Sequence, residues 1–91
     1  MKIAIVDEPR HAELVKLAIL LGGEHEVAWL ADSETTLTER CSALVPDLVL
    51  LNVDLPSVDG QAATRRLVQA GSAVLVTAAG QADPARVFEA I

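Results

Sequence analysis

The chain has 91 residues, enough for one domain near the small end of what a single hydrophobic core can hold together. A hydrophobic fraction of 52% excludes a disordered polypeptide, and the net charge of -6 argues against non-specific binding to nucleic acid. No apolar run approaches the roughly 18 residues of a membrane span, and the single cysteine, Cys41, fits a reducing compartment. We therefore expect a cytoplasmic domain that contacts neither nucleic acid nor membrane.

Short apolar runs recur along the chain. They are KIAIV at 2–6, the weaker EVAWLA at 26–31, DLVLL at 47–51 and AVLVT at 73–77. Runs of Val, Ile and Leu without alternation are typical of strands that are covered on both faces. The pattern predicts parallel strands.

The segment after the first strand has helical spacing. Residues 10–21 are predicted to form a helix that Gly22 and Gly23 end. Its apolar residues form one broad stripe that would pack on the sheet, with Glu13 and Lys16 outside it. The stripe comprises Ala12, Leu14, Val15, Leu17, Ala18, Ile19 and Leu21.

Three further helices are predicted, over 34–45 after a cap at Asp32 or Ser33, over 60–70, and from Pro84 onward. The helix over 60–70 is expected to bury Ala63, Leu67 and Val68 or a similar set. Strands thus alternate with helices, which implies right-handed crossovers and helices on both faces of a parallel sheet.

Polar residues follow the strands at the edge where ligands bind in such folds. They are Asp7 and Glu8, then Asn52 and Asp54, then Thr77. Clustered carboxylates repel one another unless a cation relieves them, so oxygen ligands here predict a hard divalent ion, Mg²⁺ by preference. The alternative is that these acids only solvate loops or cap the next helices. His11 and His25 are interpreted as solvated side chains.

These motifs resemble the receiver domain of bacterial two-component response regulators. IVDE resembles the acidic pair after the first strand, PDLVLLNVDLPSVDG the acceptor strand and its turn, and VLVTAAG the strand with the switch threonine. Asp54, ATRR and RVFEAI are also similar to the receiver of chemotaxis-type protein-glutamate methylesterases. The resemblance covers residues 1–91 and implies a flavodoxin-like, doubly wound parallel sheet with strand order 2-1-3-4.

The resemblance also implies roles for individual residues. Asp7 and Glu8 would hold Mg²⁺ together with the carbonyl of Asp54, and Asn52 would border the same ion. Thr77, followed by Ala78, would be the hydroxyl that swings toward a phosphoryl group. Pro56, Asp59 and Gly60 would shape the turn into the third helix.

Two departures from the family pattern stand out. Asn52 occupies the position of the aspartate that receivers phosphorylate, and an amide is a poor nucleophile, so we expect no ordinary phosphorylation. The fifth strand with its lysine, and the last helix, are not expected within these 91 residues. The fourth strand would then be an exposed edge, and we expect a homodimer, a domain swap or a fragment of a longer protein.

The leading hypothesis is a regulatory module that Asn52 locks in its unphosphorylated state. Its partners would be a sensor histidine kinase and an output domain or signalling protein, such as a methylesterase. Two alternatives remain open: an active phosphoacceptor that uses another carboxylate such as Asp54, and an inert structural fragment.

Overall fold

The computed structural model describes residues 1–77, which form a parallel sheet flanked by helices. In chain order the elements are β1 (Lys2–Val6), α1 (Pro9–Gly22), β2 (Glu26–Ala31), α2 (Glu34–Ala43), β3 (Leu48–Asn52), α3 (Gly60–Ala70) and β4 (Ala73–Thr77). The strand order β2-β1-β3-β4 confirms the predicted doubly wound sheet. Ala78 and the helix predicted from Pro84 lie outside the described residues. Within residues 1–77, every helix is too short or too polar to cross a membrane.

The main core lies between the sheet and the pair α2 and α3. Its buried members are Ala4, Val6, Trp29, Ala31, Leu37, Val49, Leu51, Val58, Ala63 and Leu67. Ile3 and Ile5 alternate with the core residues of β1, so their side chains face the other side of the sheet. That side is covered by α1, which buries Ala12. Helices therefore cover both faces, as the alternating pattern predicts.

Helix α2 begins and ends on hydrogen bonds that the sequence only partly indicates. Ser33, one of the two predicted caps, accepts a hydrogen bond on Oγ from the backbone N–H of Thr36 at 3.2 Å. The helix ends at Ala43, two residues before the predicted end, because Leu44 has an extended backbone. The carbonyl of Leu44 accepts a hydrogen bond of 2.9 Å from the indole N–H of Trp29. This bond ties the end of α2 to strand β2.

The prediction that the whole apolar stripe of α1 packs on the sheet is wrong. Leu14, Leu17 and Leu21 are 65%, 54% and 80% exposed, while Lys16 is half-buried. Ala12 is the residue that faces the sheet, and a helix turns by about 100° per residue. The three leucines consequently lie about half a turn away from Ala12, on the outer side of the helix.

Helix α3 shows a smaller error of the same kind. Ala63 and Leu67 are fully buried, as predicted, but Val68 is 55% exposed. Val68 follows Leu67 directly and therefore points to a different side of the helix. Gly71, with a positive φ of 108°, then closes α3 in a conformation that favours glycine.

We expect Leu67→Ala to lower the free energy of unfolding by about 2–5 kcal/mol, because it opens a cavity in a fully packed core. The matched control is Val68→Ala, one residue along the same helix. This substitution should change the free energy of unfolding by no more than about 0.5 kcal/mol. Urea denaturation followed by circular dichroism measures both. Equal effects from the two substitutions would contradict this packing of α3.

Candidate functional site

The carboxyl ends of β1, β3 and β4 carry a row of three polar residues, Asp7, Asn52 and Thr77. Asn52 is the last residue of β3 and is in register with Thr77 of β4. Val6 pairs with Leu51, so Asp7 lies beside Asn52 on the other flank of β3. Parallel strands that end together thus bring into one place residues that are 45 positions apart in the chain.

The carboxylate of Asp7 is the centre of this site and is only 3% exposed. Its Oδ1 accepts hydrogen bonds from Nδ2 of Asn52 at 2.9 Å and from the backbone N–H of Glu8 at 2.7 Å. Its Oδ2 is in hydrogen-bonding contact with Nδ1 of His11. Burial of a charge is costly unless partners replace water. Here hydrogen-bond donors of the protein contact both carboxylate oxygens of Asp7.

His11 is the site residue that the sequence interpretation missed. The sequence pattern predicts a solvated side chain, but the ring contacts Asp7 while the side chain remains 48% exposed. The signal that could have identified it is the spacing of four residues between Asp7 and His11, at the start of α1. Asp7 directly precedes Glu8, the N-cap of α1, and His11 lies in the first turn of the helix, so the two side chains can meet at the helix start.

Asn52 uses both ends of its amide. It is 2% exposed, and while Nδ2 donates to Asp7, Oδ1 accepts a hydrogen bond of 2.8 Å from the backbone N–H of Asp54. An aspartate at this position would have no N–H to donate and would place a second carboxylate against the first. The amide therefore matches both of its neighbours, a carboxylate acceptor and a backbone donor.

The other predicted site residues lie around this centre. Glu8 is exposed and contributes its backbone N–H, and Asp54 is exposed and holds the amide of Asn52 through its own backbone N–H. Thr77 is half-buried in the row of strand ends. Ala78 lies outside the described residues. The structure thus brings Asp7, Asn52 and Thr77 together and leaves the two outer acids at the rim.

A Mg²⁺ ion at this site would compete with hydrogen bonds that the protein makes to the same oxygen atoms. A Mg²⁺ ion needs free oxygen atoms in octahedral geometry, but both oxygens of Asp7 and the amide oxygen of Asn52 already accept hydrogen bonds. Within residues 1–77, no three His, Cys, Asp or Glu side chains are grouped so that they could hold a metal. A cation that bound Asp7 would therefore have to share its oxygens with these donors or displace them.

The turn between Asn52 and α3 is held by Asp59. Oδ1 of Asp59 accepts hydrogen bonds from the backbone N–H groups of Gln61 and Ala62 at 3.1 and 3.2 Å, which caps α3. A Cβ atom on Gly60 would lie 3.1 Å from the side chain of Val53, so glycine permits the close approach of the helix to the strand. The turn thus holds the start of α3 against the residue that follows β3.

Comparison with known proteins identifies relatives over the whole chain. It is 39% identical over 94 residues to a protein-glutamate methylesterase/protein-glutamine glutaminase from Mesorhizobium japonicum, and 39% identical over 94 residues to one from Pseudomonas fluorescens. In both cases the match covers 100% of this chain and 28% of the relative, so the chain spans about a quarter of the relatives' length. No family model matches the sequence.

A solved structure agrees with the fold. The response regulator PhyR from Brucella abortus matches with a TM-score of 0.69 and 16% sequence identity, over 82% of this chain and 32% of PhyR. The parallel sheet and its strand order agree with the resemblance noted in the sequence. In sequence and fold, the chain is a receiver domain of the response-regulator type, homologous to a segment of the protein-glutamate methylesterases.

Proposed function

We propose that this receiver is a regulatory module whose phosphoacceptor position is silent, so that it acts from one fixed, unphosphorylated state. The observation that carries the proposal is the amide of Asn52. It occupies the end of the acceptor strand and is held at both ends by hydrogen bonds of 2.9 and 2.8 Å. Phosphorylation works as a switch by adding charge at a bistable element, and Asn52 offers no nucleophile to receive it.

The hydrogen bonds of the site favour the same conclusion. In a site that uses an aspartate as nucleophile, a cation must offset the charge of neighbouring carboxylates. Here the amide of Asn52 and the ring of His11 each contact one oxygen of the Asp7 carboxylate. The pocket is therefore complete in its resting form, and its hydrogen bonds oppose the rearrangement that would admit a phosphoryl group.

We further propose that the partners are those of a two-component pathway. Homology to a segment of the methylesterases supports an output domain or protein of that class, and a sensor histidine kinase as the component that recognises receivers. The Asn52 domain would act on its output by constitutive contact in the cytoplasm. The input from the kinase would be binding without transfer of a phosphoryl group.

Mg²⁺ binding would be weak in this proposal. Asp7 and Glu8, with the carbonyl of Asp54, remain the candidate ligands, and Asn52 adds an oxygen but no charge. The ion would have to displace His11 and the amide of Asn52 from Asp7. Mg²⁺ is held by few protein carboxylates even in favourable sites, so losing one lowers its affinity.

Incubation with acetyl phosphate and Mg²⁺ should add no phosphoryl group to the chain, because the acceptor position lacks a nucleophile. Intact-mass spectrometry measures the addition. The Asn52→Asp variant should gain one phosphoryl group under the same conditions, since the substitution restores a carboxylate at the end of β3.

The matched control is Asn52→Ala, which removes the amide but adds no nucleophile and should remain unlabelled. A phosphoryl group on the unsubstituted chain would contradict the proposal. Loss of that label in Asp54→Asn would then identify Asp54 as the acceptor.

We also expect Asn52→Asp to make stability depend on Mg²⁺. In EDTA, the substitution should lower the free energy of unfolding by about 3 kcal/mol, because it leaves two buried carboxylates in contact. Mg²⁺ should raise the melting temperature of the variant, since an ion that binds only the folded state stabilises it. The unsubstituted chain should show little change.

Asn52→Leu serves as the control for size. It removes the same hydrogen bonds without adding charge, so it should be destabilised equally in EDTA and in Mg²⁺. An equal rise in melting temperature with Mg²⁺ for the unsubstituted chain and for Asn52→Asp would contradict the proposal that hydrogen bonds from the protein stabilise Asp7.

A further inference from the structure

Strand β2 is an outer strand of the sheet, and only one of its sides is paired. The strand order is β2-β1-β3-β4, so within residues 1–77 no strand lies along the outer side of β2. On the inner side, the N–H of Glu26 donates to the carbonyl of Met1, and the carbonyl of Ala31 accepts from the N–H of Asp7, both at 3.0 Å. A strand with one unpaired side presents backbone donors and acceptors to which another extended segment can bind.

Leu30 directs its backbone groups to this unpaired side. The backbone groups of successive strand residues point to alternate sides, and Ala31 points its carbonyl inward to β1, so the N–H and carbonyl of Leu30 point outward. The register of β2 against β1 shifts between Val27 and Trp29. Such an irregularity restricts which segments can pair with an edge. Regular pairing is therefore available at the carboxyl half of β2, around Leu30.

A groove of about 670 Å³ runs along this edge of the sheet. Lys16 and Leu20 line it from α1, Arg40 lines it from α2, and Leu30 belongs to the strand between them. Leu20 is 52% exposed, so apolar surface in the groove is open to a partner. Because α1 and α2 lie on opposite faces of the sheet, a strand added to β2 would meet Lys16 and Leu20 on one face and Arg40 on the other.

The charges of the groove favour an acidic partner. The chain as a whole has a net charge of -6, yet Lys16 and Arg40 both line the groove, against the single acid Glu26. Within residues 1–77, neither Lys16 nor Arg40 takes part in an ion pair. Both cations are therefore available to carboxylates of a partner, and such complementarity sets partner choice more than raw affinity.

We propose that the outer side of β2 binds an extended, acidic segment of a partner protein as an added strand. The backbone of Leu30 pairs with the main chain of the segment, Lys16 and Arg40 select its carboxylates, and Leu20 contacts its apolar side chains. In this mode of recognition, main-chain hydrogen bonds give affinity and alternate side chains give specificity. The surface does not include Asn52, so the proposal is independent of the silent acceptor position.

A nuclear magnetic resonance titration of the full 91-residue chain, isotope-labelled and at low salt, tests the proposal. The probe is a capped peptide of alternating valine and glutamate with six residues, the length of β2. It should bind and shift the amide resonance of Leu30, and added salt should weaken binding by screening the charges. The same peptide with lysine in place of glutamate should not bind. Absence of binding by the glutamate peptide, or equal binding of the two peptides, would overturn the proposal.

Charge reversal tests the two cations. Lys16→Glu and Arg40→Glu should each weaken binding of the glutamate peptide about fivefold, because each replaces an attraction by a repulsion. The matched control is Arg65→Glu, which changes the net charge equally at an exposed position of α3 outside the groove. It should bind the peptide like the unsubstituted chain, and circular dichroism should show that all three variants are folded. Equal weakening in the three variants would mean that net charge, and not the groove, attracts the peptide.

Backbone methylation of the peptide tests strand addition. Methyl groups on one alternate set of peptide nitrogens should abolish binding, because these N–H groups face β2, and methyl groups on the other set should be tolerated. The amide of Leu30 should exchange its hydrogen more slowly in the complex. Equal binding of the two methylated peptides, or unchanged exchange at Leu30, would contradict an added strand. Self-association of the chain that the peptide reverses would assign the edge to a second copy and overturn the proposal of an acidic partner.

Discussion

The hydrogen-bonded carboxylate of Asp7 is the constraint on which the polar edge of this domain depends. It is buried where three parallel strands end, so water cannot stabilise its charge. Asn52 donates from the neighbouring strand, His11 from the first turn of the next helix and Glu8 from the backbone. The acid therefore links β1, β3 and α1, and any change in one of its donors acts on all three elements.

That dependence explains why the amide and the histidine belong together. In a pocket neutralised by a metal, the acceptor and the acids share a cation, and the site is open until the cation arrives. Here the same position in the fold is closed by side chains, with Asn52 on one oxygen of Asp7 and His11 on the other. The receiver architecture is retained, and the proposal of a silent acceptor position rests on this hydrogen-bond network around Asp7.

The strands and their order could be predicted from the sequence, because buried parallel strands are rich in Val, Ile and Leu. The polar residues that follow them could be placed together because the carboxyl ends of parallel strands share one edge of the sheet. The sequence was insufficient for the outer side of α1, where leucines that look like core residues face away from the sheet. Composition alone does not indicate which part of a wide apolar stripe packs on the sheet. The structure shows that the packed side is the one that carries Ala12. For His11 the sequence held a signal, the spacing of four residues from Asp7, but its contact with the buried carboxylate is seen only in the folded chain.

The hydrogen bond between the indole of Trp29 and the carbonyl of Leu44 gives the domain an internal optical reporter. Trp29 is the single tryptophan of the chain, it is 8% exposed, and it lies on the edge strand β2 rather than at the pocket. Its emission therefore reports whether the end of α2 remains seated on that edge. A change in its emission would thus be read first as a change in the contact between Trp29 and Leu44, at a distance from the carboxylate of Asp7.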